Sequence, residues 1–122
     1  MERALLEKVQ PILLDMLREI HRVCKENDIH YFLYRGTFLG AVRHQGFIPW
    51  DDDLDVAMPR ADYEKFCRIA PEKLGDAYCF QSWHTDRDYA HPFGKVRRRG
   101  TVYVEAKCRP LPENGFYVDV YP

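Results

Sequence analysis

Four aspartates, Asp51, Asp52, Asp53 and Asp55, fall within five positions of the stretch FIPWDDDLDVAMPR, residues 47–60. An extended chain points successive side chains to opposite faces. A strand over 53–58 would therefore set Asp53 and Asp55 on one face and Leu54 and Val56 on the other. Two like charges about 4 Å apart repel by roughly 4 kcal/mol at an effective dielectric near 20. Such a pair persists when water solvates it, when one member is protonated, or when a cation binds. Paired carboxylates at the end of an apolar run suit a hard divalent cation, Mg²⁺ or Mn²⁺. An acidic run is also commonly just a solvated turn. A calcium loop is a third reading, because Asp51, Asp53 and Asp55 match its first three ligand positions. That loop needs Gly where Val56 stands and Glu where Asp62 stands, and Pro59 falls inside it.

Upstream, residues 31–44 read YFLYRGTFLGAVRH. Tyr31 to Tyr34 reads as a short strand and Phe38 to Arg43 as a helix. Gly36 and Thr37 form the junction between them, with Thr37 as N-cap. A small-residue turn at a helix start offers free backbone N–H groups and the positive dipole end to a phosphate. Downstream, GFYVDVY (115–121) alternates: Phe116, Val118 and Val120 share one face, and Tyr117, Asp119 and Tyr121 the other. A lone Asp between valines is costly to bury unless it is paired or metal-bound. Lys95 sits among hydrophobics and can aim into a site, whereas Arg97, Arg98 and Arg99 crowd a turn that solvent alone would satisfy. Trp50 either buttresses the carboxylates or simply packs.

These residues need a scaffold. Apolar positions recur at three- and four-residue spacing over residues 3–27, which predicts a long helix, with Pro11 expected to kink or break it near residues 8–11. Strands are expected over 29–34, 53–58, 77–83, 92–98, 101–105 and 115–121. Helices are expected over 37–44 and 60–69, a hairpin turn at Arg99-Gly100, and a Pro-rich loop over 107–115. The 122 residues suffice for one domain with one modest core. A net charge of −1 argues against a nucleic-acid partner. No stretch approaches the ~18 apolar residues of a membrane span, and the first residues lack the pattern of a signal peptide. Cys24, Cys67, Cys79 and Cys108 are scattered without a CxxC pair, which suits a reducing cytoplasm; Cys24 and Cys67 read as core thiols.

A Gly-Thr turn, a spacer and an Asp-x-Asp strand resemble the nucleotidyltransferase fold of the DNA polymerase beta superfamily. The longer segment RGTFLGAVRHQGFIPWDDDLDVAMPRADYEKF resembles the signature of the LicD phosphotransferases, which include the fukutin-related proteins. That signature joins a GTLLGAxRH-like segment, GFIPWDDDxD and a PRxDYxxF-like segment. The resemblance implies an α/β (α+β) fold, a small mixed sheet with packed helices, as a single domain over 1–122. Family members run longer, so the chain is expected to match only their N-terminal part. The implied reaction moves a phospho-alcohol such as phosphocholine from a CDP-linked donor, for example CDP-choline, to a hydroxyl of a cell-surface glycan, teichoic acid or lipopolysaccharide. Asp119 matches the family's third carboxylate, so Asp53, Asp55 and Asp119 are the implied catalytic and metal-holding set. Gly36 and Thr37 would seat phosphates, Arg43 and Lys95 would neutralise them, and Asp51 and Asp52 would support. Transfer of a nucleoside monophosphate, or nucleotide binding without catalysis, are the alternatives. A nucleotide-sugar glycosyltransferase is disfavoured, because only one strand precedes Asp53.

Overall fold

The computed structural model describes residues 3–85, 88–89, 91–100 and 116–122. Helix α1 (Arg3–Glu26) buries Leu6, Val9, Leu13, Met16, Ile20, Val23 and Cys24 as one stripe, the pattern of a helix packed on a core. Pro11 lies inside α1 without ending it, so of the expected kink or break the break does not occur. Pro11 is exposed, and the buried stripe runs on from Val9 to Leu13 across it. Packing on both sides offsets the ~3 kcal/mol that an interior proline costs a helix.

The strands are β1 (Phe32–Leu33), β2 (Asp55–Ala57), β3 (Tyr78–Gln81), β4 (Gly94–Arg98) and β5 (Tyr117–Tyr121), with α2 (Arg35–Arg43) between β1 and β2 and α3 (Arg60–Lys73) between β2 and β3. They form one mixed sheet in the order β1-β2-β5-β4-β3. Only β2 and β5 run parallel; β1 with β2, β3 with β4 and β4 with β5 are antiparallel. Among the described residues, β5 is thus the middle strand of the sheet.

The sheet's two faces differ in chemistry. Val56, Val96, Val118 and Val120 are fully buried with Leu54, Met58, Phe66 and Phe80, and α1 packs on β5 and α3 on β3. Cys24 and Cys67 are free thiols in this core. On the other face, register aligns Asp55 with Asp119, Asp119 with Lys95 and Lys95 with Gln81, a row of polar side chains across four strands.

The elements depart from the sequence expectation at their ends. The second strand begins at Asp55, not Asp53, so Asp53 belongs to the loop and the shared-strand-face argument for Asp53 and Asp55 does not hold. The first strand is shortened to two residues, because Arg35 and the α2 helix follow at once. The turn at Arg99-Gly100 is present, with Gly100 at φ +80°, which suits glycine. The expected strand over 101–105 and loop over 107–115 lie outside the described residues.

Candidate functional site

The backbone at the head of the sheet fixes the strand carboxylates. Tyr34 N–H donates to the Asp55 carbonyl (3.0 Å), and Asp119 N–H donates to the Leu54 carbonyl (3.1 Å). Asp55 and Asp119 are parallel in-register neighbours, on strands ~4.8 Å apart. Asp55 is 6 % exposed. Burial pushes its carboxyl up to about 6; the Asp119 charge and a hydrogen bond shared with Asp119 push the same way, and the Arg35 guanidinium opposes them. Asp119 is held from its other side by Lys95, whose Nζ lies 2.6 Å from Oδ1. Lys95 is 2 % exposed, and its ammonium also stands over the Tyr117 ring at 3.5 Å. The expectation that Lys95 answers a phosphate is therefore modified: its charge is already engaged by Asp119.

The loop carboxylates form a second group. Asp51, Asp52 and Asp53 offer oxygens that all lie within 4.8 Å of one another. Asp51 and Asp52 are half-buried and Asp53 is exposed. The Asp53 carboxyl is raised by partial desolvation, by a hydrogen bond with Asp51 and by the charges of Asp51, Asp55 and Asp52. Asp53 is thus the link, facing the loop group and Asp55 together. Helix α1 holds this loop: Gln10 Nε2 donates to the Asp51 carbonyl at 2.8 Å.

Gly36 and Thr37 sit against both groups. A Cβ on Gly36 would come 3.0 Å from Asp51 Oδ2, so the glycine lets the helix start approach the carboxylate loop. Thr37 is not the N-cap. Helix α2 starts two residues earlier, after Tyr34, which makes no side-chain cap. The buried Thr37 hydroxyl instead accepts from Asp55 N–H at 2.9 Å, tying α2 to the carboxylate strand. Arg43 is exposed in the last turn of α2, ~10 Å along the axis from Gly36, and the fold gives it the helix C-terminus rather than the carboxylates. Trp50 neither buttresses nor packs: it is 74 % exposed and meets His44 edge-on.

Arg35 was not legible as a site residue. It takes φ +53°, rare for a non-glycine residue, and its guanidinium lies over Tyr34 (5.3 Å) and Tyr121 (4.9 Å). Its charge acts on Asp55, and no periodicity marks it.

The donor set fits a hard divalent cation. It is all oxygen, with carboxylates from a loop and two strands, and burial together with like charges raises the carboxyls of Asp53 and Asp55. No helix among the described residues is long and apolar enough to cross a membrane.

Residues 28–121 match the family model described as LicD/FKTN/FKRP, nucleotidyltransferase domain. Over 99 % of its length the chain is 33 % identical to the lipopolysaccharide cholinephosphotransferase LicD of Haemophilus influenzae, of which it covers 45 %. It is 26 % identical, over 86 % of its length, to human ribitol 5-phosphate transferase FKRP, of which it covers 22 %. An uncharacterised Rickettsia typhi protein is 42 % identical over 54 % of the chain. The chain spans less than half the length of these relatives, two of which are named phosphotransferases. The match holds the Gly36-Thr37 turn, the carboxylate loop and β5 in one model, and on that basis the chain belongs to the LicD family, in its nucleotidyltransferase domain.

Proposed function

We propose that this domain transfers a phospho-alcohol, of the phosphocholine kind, from a CDP-linked donor to a glycan hydroxyl, with Mg²⁺ or Mn²⁺. The single observation that carries the reading is the convergence of Asp55, Asp119 and the Asp51–Asp53 loop on the start of α2. Likeness to a lipopolysaccharide cholinephosphotransferase supports the choice of donor and acceptor. Asp53 and Asp55, with Asp119, hold the cation, which when bound screens the donor diphosphate and the charge developing on the transferred phosphoryl group. Gly36 and the first turn of α2 receive phosphate oxygens on backbone N–H groups. The acceptor oxygen forms a bond to the phosphorus that carries the alcohol, the bond from that phosphorus to CMP breaks, and CMP leaves with the bridging oxygen. Asp119 takes the acceptor's proton. Lys95 holds Asp119 in place, and Arg35 adds positive charge beside Asp55.

The test is metal-dependent CMP release from CDP-choline in the presence of a glycan acceptor, with loss in Asp55→Asn and Asp119→Asn. A product carrying CMP rather than phosphocholine would instead establish nucleotidyl transfer. Thermal protection by UDP-sugars and not by CDP-choline would overturn the donor assignment.

A further inference from the structure

We propose that Gln10, on α1 and upstream of the matched residues 28–121, is a positioning residue for the cation: its side-chain amide fixes the carboxylate loop and so sets the affinity for the divalent ion. This rests on the cation reading above and adds what holds the loop carboxylates in place before an ion arrives.

The loop is built from two linked turns. Asp51 N–H donates to the Ile48 carbonyl at 2.9 Å, which closes a turn with Pro49 at its second position, where a fixed φ suits the chain. Asp53 N–H then reaches back to Asp51 Oδ1 at 3.4 Å, a side-chain turn of the kind aspartate favours. Gln10 clasps the first turn across its mouth. Its Nε2 lies 2.8 Å from the Asp51 carbonyl and 3.4 Å from the Ile48 carbonyl. An amide nitrogen carries two N–H donors, so one side chain serves both ends of the turn. Helix α1 makes that clasp firm. Val9 and Leu13, on either side of Gln10 in sequence, are 2 % and 1 % exposed in the core. The amide is therefore placed by core packing, and it passes that placement to the loop. Gly36 closes in on the same aspartate from α2, where a Cβ would stand 3.0 Å from Asp51 Oδ2.

The choice of residue type carries the argument further. Oxygens of Asp51, Asp52 and Asp53 lie within 4.8 Å of one another, and like charges at that range push a free loop apart. Something must hold the backbone against that repulsion if the carboxylates are to stand ready for an ion. A Lys or Arg in place of Gln10 could donate to the same carbonyls, but its charge would answer the carboxylates and compete with the cation. A neutral amide bonded to backbone carbonyls supplies the geometry and leaves the negative charge for the ion. Residues that orient ligands from behind in this way tune metal affinity as well as structure.

The test compares the wild type with Gln10→Leu, which keeps the stem and removes both donors, and Gln10→Asn, whose amide is one methylene too short. MnCl₂ is titrated into each without nucleotide, and free Mn²⁺ is read by electron paramagnetic resonance. Both variants should bind Mn²⁺ roughly tenfold to a hundredfold more weakly. A second readout needs no metal. The chain has two tryptophans, and Trp50 lies inside the clasped turn, so in a Trp83→Phe background its fluorescence anisotropy decay reports the loop alone. Gln10→Leu should add a fast component that the wild type lacks. A purely structural role would lower the melting temperature of the variants and leave the Mn²⁺ Kd of the folded protein unchanged. An unchanged Kd in both variants therefore overturns the positioning role while the cation reading stands. A wild type that binds no Mn²⁺ overturns the cation reading and the positioning role with it.

Discussion

Asp51, Asp52 and Asp53 stand in a loop, whereas Asp55 and Asp119 stand on the adjacent strands β2 and β5. Among the described residues, no Lys or Arg forms an ion pair with the loop carboxylates. The strand carboxylates have Lys95 on one side and Arg35 on the other. One residue type thus serves in two ways. In the strands Lys95 pairs with Asp119, and Arg35 partly offsets the burial and like charge that Asp55 meets. In the loop the carboxylates are crowded by their own kind.

The comparison breaks most sharply at Lys95. Its side chain is 3 % exposed and that of Asp119 14 %. Removing one partner of a buried ion pair costs about 3–5 kcal/mol, so Lys95→Met should lower stability by that order in chemical denaturation. Asp119→Asn should also destabilise. From sequence alone the same change would only relieve repulsion, and the Lys95 ion pair reverses the sign. An unaltered denaturation midpoint in both variants would remove the distinction between strand and loop.

A cation should stabilise the native state by about 2.7 kcal/mol at a hundredfold excess over its Kd. Combining Asp53→Asn with Asp55→Asn should abolish the gain; a thermal shift that survives in this double variant places the cation elsewhere. Without metal, pH acts in the opposite direction to the usual carboxylate. The Asp55 carboxyl sits at about 6 when folded, against about 3.9 unfolded. The folded state therefore holds the extra proton, and its stabilising effect is full below about pH 4 and lost as pH rises through 6. Metal-free stability should fall by about 1.4 kcal/mol through Asp55 between pH 5 and 7.5, the raised Asp53 carboxyl adding to the fall, and Asp55→Asn should make the profile shallower. A flat profile in the wild type would contradict the burial of Asp55.

Smaller effects sharpen the same contrast. Thr37→Val should cost about 1–2 kcal/mol, because the buried Asp55 N–H loses its acceptor. Asp52→Asn, in the loop, should stay within about 0.5 kcal/mol. Equal losses in these two variants, measured by the same denaturation curves, would show that the loop is as structural as the strand.

What the sequence makes legible is local. The alternation of GFYVDVY puts Val118 and Val120 in the core and Asp119 on the other face, because strand period is a property of neighbouring residues. The stripe of α1 is readable for the same reason. The Asp55–Asp119 alignment is a parallel pairing between distant segments, and no periodicity encodes its register. The start of α2 was misplaced by two residues because Arg35, not glycine, takes the left-handed conformation that turns the chain. The cluster of Asp51 and Asp52 with Asp53 depends on a non-repeating loop braced by Gln10 from α1, a contact between segments far apart in the chain.

The position of β5 has a consequence for how the molecule comes to exist. Until residues 117–121 are made and inserted, β2 and β4 each present an open edge, and the two halves of the sheet have no strand in common. Closing such long-range pairings is the slow part of folding, and open edges invite pairing with other chains. Asp55 meets Asp119 only when β5 pairs with β2, so the polar row is complete only once β5 sits between β2 and β4.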